Sequence, residues 1–498
     1  MNNVFSKYTD LETFNKINDY TCMNQMWVDA VENYGNNVCV FDKTEYTYND
    51  LDNSVGNFRS ILKQKGIKPG DIVAMYLPNC IDFVKAYLAI TTLGACAILL
   101  PPHLDGNTVF GATRFGVKAL VFDSSLEENL SVVKTNNKDL VLINGAETCT
   151  DYTPGIDCSG ERLCTILFTG GTTGKSKGAK LSHQAVQEGI KNGCYGYKNV
   201  FEQRYFLVLP LTHVFGLIRN LLTTIRTGSS IYICRNNKDM FREIAVFRPT
   251  IMVLVPALAE MALNLSKQFG KNMLGEDMKT IICGAAAVPP YLIKEYDKLG
   301  IQLLPGYGLT ESANLVSGNP EALKKPDSVG IIYPGIDYKI VNDELWLKGK
   351  TMMDGYLGDG NAESYSPDGY FKTGDLVRID DEGFLYIIGR SKEVIVLSSG
   401  ENVSPAELEK YFYDLDAVQD CLVYSEKIDN REILTVEILP RATAIKALEI
   451  SDIEAYMKEK LVEINKKLPS YERINKVIIR TNDFKRSPSM KILRGQNG

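Results

Sequence analysis

Short apolar runs that end in Gly- or Pro-rich turns recur from about residue 160, and amphipathic helical stretches separate them. This alternation is typical of parallel β-sheets covered by helices, because parallel neighbours need a long crossover connection. The runs that we interpret as strands are 165–168, 205–209, 230–234, 251–255, 280–283 and 302–304. Ligands of open parallel sheets collect at the carboxyl ends of strands, so we expect a binding site in the turns that follow these runs.

The pattern changes after residue 330 to hairpin-like segments such as ELWLKG and GYFKTGDLVRID, which predict antiparallel strands. Ser404 is expected to cap a helix with its hydroxyl, with proline at the first helical position, and a second capping box at 451–454 opens another helix. The predicted fold class is α/β. A large N-terminal domain of layered α/β sheets with an antiparallel portion occupies residues 1–389, and a small mobile α+β domain occupies 390–498.

Composition excludes several classes of protein. The chain has 498 residues, 55 basic and 61 acidic, for a net charge of −6, and no basic block suggests a nucleic-acid partner. The 11 cysteines are odd in number and lack metal-ligand spacing, which indicates free thiols in a reducing compartment. The most apolar stretch, 86–100, predicts a buried helix running into a buried strand, since it falls short of the roughly 20 residues of a bilayer span. With no apolar signal run near the N-terminus, we expect a cytoplasmic protein without a transmembrane segment.

The segment TGGTTGKSKG at 169–178 directly follows the predicted strand CTILF. Consecutive glycines and hydroxyls after a strand present N–H and O–H donors to a phosphate chain. A flexible surface turn is one alternative. A P-loop is another, because 174–176 matches the end of G-x-x-x-x-G-K-[ST]. The P-loop spacing fails by one residue, because position 169 is Thr, and the following AKLS predicts a strand rather than a helix.

Four further motifs follow in a fixed order: GYGLTE at 306–311, FKTGDL at 371–376, GRSK at 389–392 with SGENVSP at 399–405, and SMKILR at 489–494. Together with the Gly-rich segment they resemble the adenylate-forming superfamily of acyl-CoA synthetases, luciferases and peptide-synthetase adenylation domains. The similarity extends upstream through KPGDIVAMYLPNC and so covers nearly the whole chain. The resemblance implies an enzyme that uses ATP and Mg²⁺ to activate a carboxylic acid as an acyl-adenylate and then transfers the acyl group to a thiol.

The resemblance also assigns nucleotide-binding roles. Tyr307 is expected to stack on adenine, Asp375 to accept both ribose hydroxyls, and Arg390 to reach the nucleotide. Taken alone, these residues would be a core tyrosine, a turn-stabilising aspartate and a solvated arginine. The full set assigned to the nucleotide is Thr169, Gly170, Gly171, Thr172, Thr173, Gly174, Lys177, Gly306, Tyr307, Gly308, Leu309, Asp375 and Arg390.

Catalysis is assigned to Lys491, Thr310 and His213 by the same resemblance. Lys491 would offset the repulsion between the substrate carboxylate and the α-phosphate, although a lysine so near the C-terminus would otherwise be a solvated tail charge. Thr310 would bond the α-phosphate, and Glu311 would hold the Mg²⁺ ion. His213, in LPLTHVFG, matches the segment that reaches the substrate carboxylate, whereas a bare histidine would be structural.

The same family comparison assigns the hinge of the C-terminal domain to Lys392. In this family the small domain rotates between the two half-reactions. We therefore expect Lys392 to absorb that rotation.

Departures from the family pattern bear on the substrate. Met490 before the lysine and the TGGTTG sequence resemble fatty acyl ligases, which favours an aliphatic acid. Amino-acid-activating relatives carry an aspartate where this chain has Val214, so a buried substrate ammonium would lack a partner. We expect a fatty or other aliphatic acid–CoA ligase. One alternative is a ligase that loads the phosphopantetheine of a separate carrier protein.

A second alternative is a non-catalytic nucleotide- or acyl-binding relative. Joint retention of Lys491, Glu311 and Asp375 argues against it, because a binder would need neither the metal ligand nor the lysine. The resemblance is compatible with a homodimer.

Overall fold

The computed structural model of the protein describes residues 7, 17–169, 177–195, 200–358, 364–397, 401–428, 431–486 and 492–494, with only the backbone at 396 and 431. Several of the predicted site residues lie outside these ranges, namely Gly170, Gly171, Thr172, Thr173, Gly174 and Lys491.

The N-terminal part of the chain alternates strands and helices. Its elements are α1 (Met23–Tyr34), β1 (Val38–Asp42), β2 (Thr44–Thr47), α2 (Tyr48–Gln64), β3 (Ile72–Tyr76), α3 (Ile81–Thr92), β4 (Cys96–Leu99), α4 (Gly106–Thr113), β5 (Val117–Phe122), α5 (Ser131–Asn136), β6 (Val141–Asn144), β7 (Leu163–Thr169), β8 (Lys177–Ser182) and α6 (His183–Asn192).

The first sheet has the strand order β6, β5, β3, β4, β7, β8, and its neighbours are parallel except β7 and β8. Among the strands of this sheet upstream of residue 160, the apolar pattern predicts only β4. The sequence pattern does not predict β3, β5 and β6. Thr169 pairs with Lys177 across β7 and β8, and the Gly-rich segment therefore joins adjacent antiparallel strands. A P-loop would need a helix where β8 lies, which removes that alternative.

The middle of the chain continues the alternation and then becomes antiparallel. Its elements are β9 (Arg204–Leu207), a π-helix (Phe215–Leu222), α7 (Thr223–Arg226), β10 (Ser230–Ile233), α8 (Met240–Phe247), β11 (Ile251–Leu254), α9 (Pro256–Phe269), β12 (Thr280–Cys283), α10 (Pro290–Lys298), β13 (Gln302–Leu309), a 3₁₀ turn (Thr310–Ser312), β14 (Asn314–Gly318), β15 (Gly330–Ile332), β16 (Ile336–Val341), β17 (Glu344–Gly349), β18 (Phe371–Ile379) and β19 (Phe384–Arg390).

The large sheet has the order β16, β17, β18, β19, β15, β14, β13, β12, β11, β9, β10, β1, β2. Strands from β10 to β13 pair in parallel, and those from β13 to β19 pair antiparallel, as the change of sequence pattern predicts. Each predicted strand overlaps one in the structure, and β12 has the predicted bounds. These sheets and the covering helices confirm the predicted α/β class of the large domain.

β13 changes its pairing partner half-way along. Its first four residues pair in parallel with β12, and Gly306 to Leu309 pair antiparallel with β14. Pro305 lies at the change and has no N–H to donate, while its carbonyl accepts from Asn319 N at 2.9 Å. The predicted strand 302–304 ends too early, because the Pro-Gly pair that follows it is typical of a turn. In the structure β13 continues past this pair because β14 lies beside it as a pairing partner.

The C-terminal domain has a separate hydrophobic core. Its elements are β20 (Ile395–Val396), β21 (Asn402–Val403), α11 (Pro405–Tyr413), β22 (Val418–Ile428), β23 (Arg431–Pro440), α12 (Ala442–Ala447), α13 (Ile453–Asn465) and β24 (Lys476–Ile479). β23 pairs antiparallel with β22 and parallel with β24. Phe412 of α11 and Met457 of α13 are fully buried against this sheet, so these two helices cover it.

Both predicted capping arrangements need correction. Ser404 precedes α11, but its hydroxyl donates to the Ile388 carbonyl at 2.7 Å instead of capping the helix. The helix predicted to open at Ser451 is capped by Asp452, whose carboxylate accepts from Ala455 N at 3.0 Å. A nearby carbonyl or a neighbouring carboxylate competes successfully with the expected hydroxyl cap.

The two domains touch through helices α9 and α10 of the large domain. Arg441 of the C-terminal domain lies 2.9 Å from Glu260 Oε1 of α9 and stacks over the Tyr291 ring of α10 at 4.5 Å. Within the described ranges, the search for a helix both long and apolar enough to cross a bilayer finds none.

We predict that Gly308→Ala destabilises the protein. A Cβ at this position would lie 2.6 Å from Leu315 Cα of β14, and overpacking against backbone costs about 1–3 kcal/mol. Gly111→Ala is the matched control, because a Cβ there meets nothing within 4 Å and its helix gains up to about 1 kcal/mol. Denaturant unfolding of both variants checks this, and equal stability would contradict the close pairing of β13 and β14.

Candidate active site

Three predicted residues meet at the changeover of β13. The Tyr307 hydroxyl donates to Asp375 Oδ2 at 2.5 Å, and Arg390 Nε donates to Asp375 Oδ1 at 2.7 Å. Asp375 and Arg390 face each other across β18 and β19. The structure therefore brings Tyr307 of β13 together with Asp375 and Arg390 of the paired strands β18 and β19, which follow much later in the chain.

The residues of β18 just before Asp375 hold its backbone in place. Gly374 has a φ of +72°, which favours glycine, and its N–H donates to Glu344 Oε1 at 2.8 Å. Asp375 N donates to Thr373 Oγ1 at 3.0 Å, and Thr373 in turn donates to the Leu345 carbonyl. Asp375 is 2% exposed, so its position depends on these contacts rather than on solvent.

Burial and the neighbouring Asp375 carboxylate raise the pKa of Tyr307 well above its usual value. Burial lowers the pKa of Arg390 and is the largest single influence, but the charge and hydrogen bond of Asp375, with smaller contributions from Tyr307 and Glu393, together outweigh it and the pKa is raised. The tyrosine therefore stays a neutral donor and the arginine stays a cation around one buried carboxylate.

A second group surrounds Glu311. Thr310, Glu311 and Ser312 form the 3₁₀ turn directly after β13, and Thr310 is 9% exposed. The Tyr356 hydroxyl donates to Glu311 Oε1 at 2.6 Å. The Lys177 ammonium lies 4.8 Å from the centre of the Tyr356 ring, so this tyrosine connects the predicted metal ligand to the strand that follows the Gly-rich segment.

Glu311 could supply one carboxylate ligand to a metal ion. Among the described residues, no cluster of three or more His, Cys, Asp or Glu side chains could hold a metal. A carboxylate that supplies one or two oxygens, with the remaining ligands from phosphates and water, is the usual arrangement for Mg²⁺.

His213 lies two residues before the first residue of the π-helix. Its Nδ1 accepts a hydrogen bond from Phe215 N at 3.3 Å, so a proton on the neutral ring is carried by Nε2. A Cβ at Gly284 would lie 2.8 Å from the Gly306 carbonyl and 3.4 Å from the Phe215 ring, which places the π-helix start beside β13. Val214 is 6% exposed. π-Helical turns are rare and frequently occur at functional sites.

Lys392 lies in an exposed turn after β19. Ser391 N donates to the Gly374 carbonyl at 2.8 Å, and Glu393 N donates to the Arg390 carbonyl at 3.0 Å. The predicted hinge therefore lies two residues after the arginine that binds Asp375.

Tyr356 is a residue of this site that the sequence patterns do not indicate. It stands outside the motifs, and the bridge that pairs it with Ala179 of β8 joins segments far apart in the chain. The only local signal is an aromatic residue after Gly355.

Comparison with known families gives a consistent result. Residues 27–357 match the family model described as AMP-binding enzyme, and residues 392–497 match the AMP-binding enzyme C-terminal domain. The chain belongs to the AMP-binding enzyme family. This confirms the predicted family, the use of ATP and CoA by its members, and the enzyme class of AMP-forming acid–thiol ligases.

Named relatives of this AMP-binding enzyme are CoA ligases. It is 27% identical over 489 residues to the peroxisomal OPC-8:0-CoA ligase 1 of Arabidopsis thaliana, covering 90% of this chain and 87% of that protein. It is 26% identical over 476 residues to the long-chain-fatty-acid–CoA ligase FadD13 of Mycobacterium tuberculosis, covering 90% and 92%.

Solved structures confirm the fold of the AMP-binding enzyme. The anthranilate CoA ligase AuaEII in complex with anthranoyl-AMP superposes with a TM-score of 0.85 at 19% identity over 97% of both chains. The o-succinylbenzoate CoA synthetase of Bacillus subtilis with ATP and magnesium gives 0.78 at 23% identity over 95% and 98% of the two chains.

We predict that Asp375→Ala costs about 2–3 kcal/mol of stability, because it leaves the Arg390 guanidinium and the Tyr307 hydroxyl without their shared acceptor. Asp368→Ala is the matched control in the same domain. It removes a carboxylate that is 57% exposed and paired with Lys339, and should change stability far less, because exposed ion pairs contribute little. Urea unfolding compares the two variants, and equal losses would show that Asp375 is not the acceptor of a buried network.

Proposed function

We propose that this AMP-binding enzyme activates a fatty or other aliphatic carboxylic acid to acyl-AMP, with release of pyrophosphate, and then forms a thioester with CoA. The observation that carries the proposal is the meeting of Tyr307, Asp375 and Arg390 on the large sheet, with Thr310 and Glu311 in the 3₁₀ turn that directly follows β13. In this set Tyr307 offers an aromatic ring and Asp375 an acceptor for hydroxyls. Arg390 offers a cation and Glu311 a ligand for Mg²⁺.

Asp375 and Tyr307 support the nucleoside end of the site. Each carboxylate oxygen of Asp375 accepts one protein donor and retains a second lone pair for a ribose hydroxyl. The hydrogen bond at the Tyr307 hydroxyl anchors the far end of its side chain, and a ring that is already held in place can stack on adenine at low entropic cost. Arg390 would place a positive charge near the nucleotide.

Thr310, Glu311 and Lys177 support the phosphate end. The Thr310 hydroxyl would donate to an α-phosphate oxygen, and the Lys177 ammonium would face the phosphate chain across the Tyr356 ring. A magnesium ion held by Glu311 would neutralise phosphate charge and polarise the phosphorus. Tyr356 keeps the Glu311 carboxylate oriented through its bond to Oε1.

The acid would enter beside His213. A carboxylate oxygen attacks the α-phosphorus, the bond to the β-phosphate oxygen breaks, and pyrophosphate leaves. His213 Nε2–H can donate to the incoming carboxylate because Nδ1 is already an acceptor. Lys491 would reduce the repulsion between the two anions. The buried Val214 offers no charge for a substrate ammonium, which favours an aliphatic acid over an amino acid.

The acceptor is assigned to free CoA. The two relatives named above, at 26% and 27% identity, carry CoA ligase names, which supports CoA over a carrier-protein phosphopantetheine.

Acid-dependent exchange of pyrophosphate into ATP tests the proposal across a panel of fatty, short aliphatic, aromatic and amino acids. We expect aliphatic acids to give faster exchange than amino acids of equal size, and Lys491→Ala to abolish exchange. Lys458→Ala, which removes an exposed lysine paired with Glu454, is the control and should leave exchange unchanged. CoA and a carrier protein are then compared as acceptors. Preferential exchange with an amino acid, or survival of exchange in Lys491→Ala, would contradict the proposal.

We predict that Lys392→Pro separates the two half-reactions. Proline fixes φ near −65°, so it removes the rotation that the C-terminal domain needs after adenylation. Thioester formation from preformed acyl-adenylate should fall at least about tenfold more than pyrophosphate exchange. Lys392→Ala is the control, because alanine leaves φ free and should change both rates little. Equal losses in a folded Lys392→Pro protein would remove the hinge assignment.

A further inference from the structure

Arg494 is the last residue of the SMKILR motif, and the proposed function gives it no role. Its Nη1 and Nη2 donate to the two carboxylate oxygens of Glu409 at 2.8 and 2.7 Å. Such a two-point contact fixes orientation as well as distance. Glu409 is 5% exposed and also accepts from Val423 N at 2.8 Å, so the acceptor is built into the core of the C-terminal domain.

The chain on both sides of Lys491 is fastened to the same domain. Ile492 forms an antiparallel bridge with Arg486, and Leu493 N donates to the Lys485 carbonyl at 2.9 Å. Ile492 also packs against a small hydrophobic cluster that contains Phe484. The sequence alone suggests a solvated tail at this point, whereas the described flanks are anchored.

Arg494 also contacts a residue at the start of the C-terminal domain in the sequence. Its Nε lies 3.0 Å from Glu393 Oε2, and Glu393 is the residue after Lys392. One guanidinium therefore joins the segment that carries Lys491, helix α11 through Glu409, and the first residue beyond the proposed hinge.

We propose that Arg494 is a positioning residue for adenylation, which sets where Lys491 stands relative to the Lys392 hinge. The inference rests on the proposed function, because Lys491 and Lys392 have their roles only there. Rotation at Lys392 would carry the anchored segment as one body, because Glu393 and Glu409 are both held by Arg494.

The competing explanation is that the ion pair of Arg494 with Glu409 only stabilises the domain. Variants can distinguish this explanation from a positioning role. Removal of one partner leaves a buried charge uncompensated, whereas replacement of both partners by neutral groups restores stability. Arg494→Met exposes the first effect. The double variant Arg494→Met/Glu409→Gln removes both charges, and the new amide oxygen can still accept from Val423 N.

The experiment compares the full-length wild-type protein, Arg494→Met, the double variant and Lys491→Ala. Thermal unfolding, pyrophosphate exchange with an aliphatic acid, and thioester formation from preformed acyl-adenylate and CoA are measured for each. We expect the double variant to regain the wild-type Tm while its exchange stays about 100-fold low, the size expected for a misplaced catalytic group. Its thioester formation should stay within a few-fold of wild type.

Lys476→Met is the matched control, because it breaks an ion pair with Glu426 in the same sheet without contacting the tail, and all three readouts should be unchanged. A double variant that recovers both Tm and exchange would overturn the inference and leave the proposed function standing. Equal losses in both half-reactions would also overturn it. No exchange by the wild-type protein with any acid of the panel would instead remove the proposed function.

Discussion

The change of partner within β13 is the constraint on which the site depends. A single strand belongs to a parallel sheet up to Pro305 and to an antiparallel one from Gly306, so the carboxyl end of the parallel half opens directly onto the antiparallel half. Tyr307 can therefore reach Asp375, which lies on β18 and is separated from β13 in the sheet by three strands. Glycine at 306 and 308 keeps the two halves close enough, because a Cβ at either position would press on β14.

Buried carboxylates organise both domains by a shared principle. Asp375 holds an arginine and a tyrosine across the antiparallel strands, and Glu409 holds an arginine and a backbone N–H within the C-terminal domain. A buried charge is costly unless several donors surround it, so each carboxylate restricts its neighbours to a narrow set of positions. Arg390 precedes the turn at Ser391 and Lys392, and Arg494 contacts Glu393 just after it. The residues on both sides of the proposed hinge are therefore held by ion pairs.

The sequence predicts the elements whose signals are local. The bounds of β12 follow from a short run of apolar residues between turns, and the order of the motifs is enough to identify the family. The early strands β3, β5 and β6 are missed because the pattern was clear only downstream. Other features depend on distant partners: β13 continues past Pro305 because β14 lies beside it, and the Ser404 hydroxyl turns to Ile388 across the domain junction. The contact of Tyr356 with Glu311 likewise joins residues 45 positions apart and leaves no periodic trace.

An antiparallel bridge pairs Arg486 with Ile492, so the two residues that flank the stretch carrying Lys491 are held next to each other. Consecutive Cα atoms are about 3.8 Å apart, so Lys491 cannot stray further than that from its anchored neighbour. The opposite end of the segment is limited in the same way by Arg486. The number of residues between Arg486 and Ile492 therefore sets an upper limit on the distance that Lys491 can reach from either of them. One inserted residue would raise that limit by about 3.5 Å.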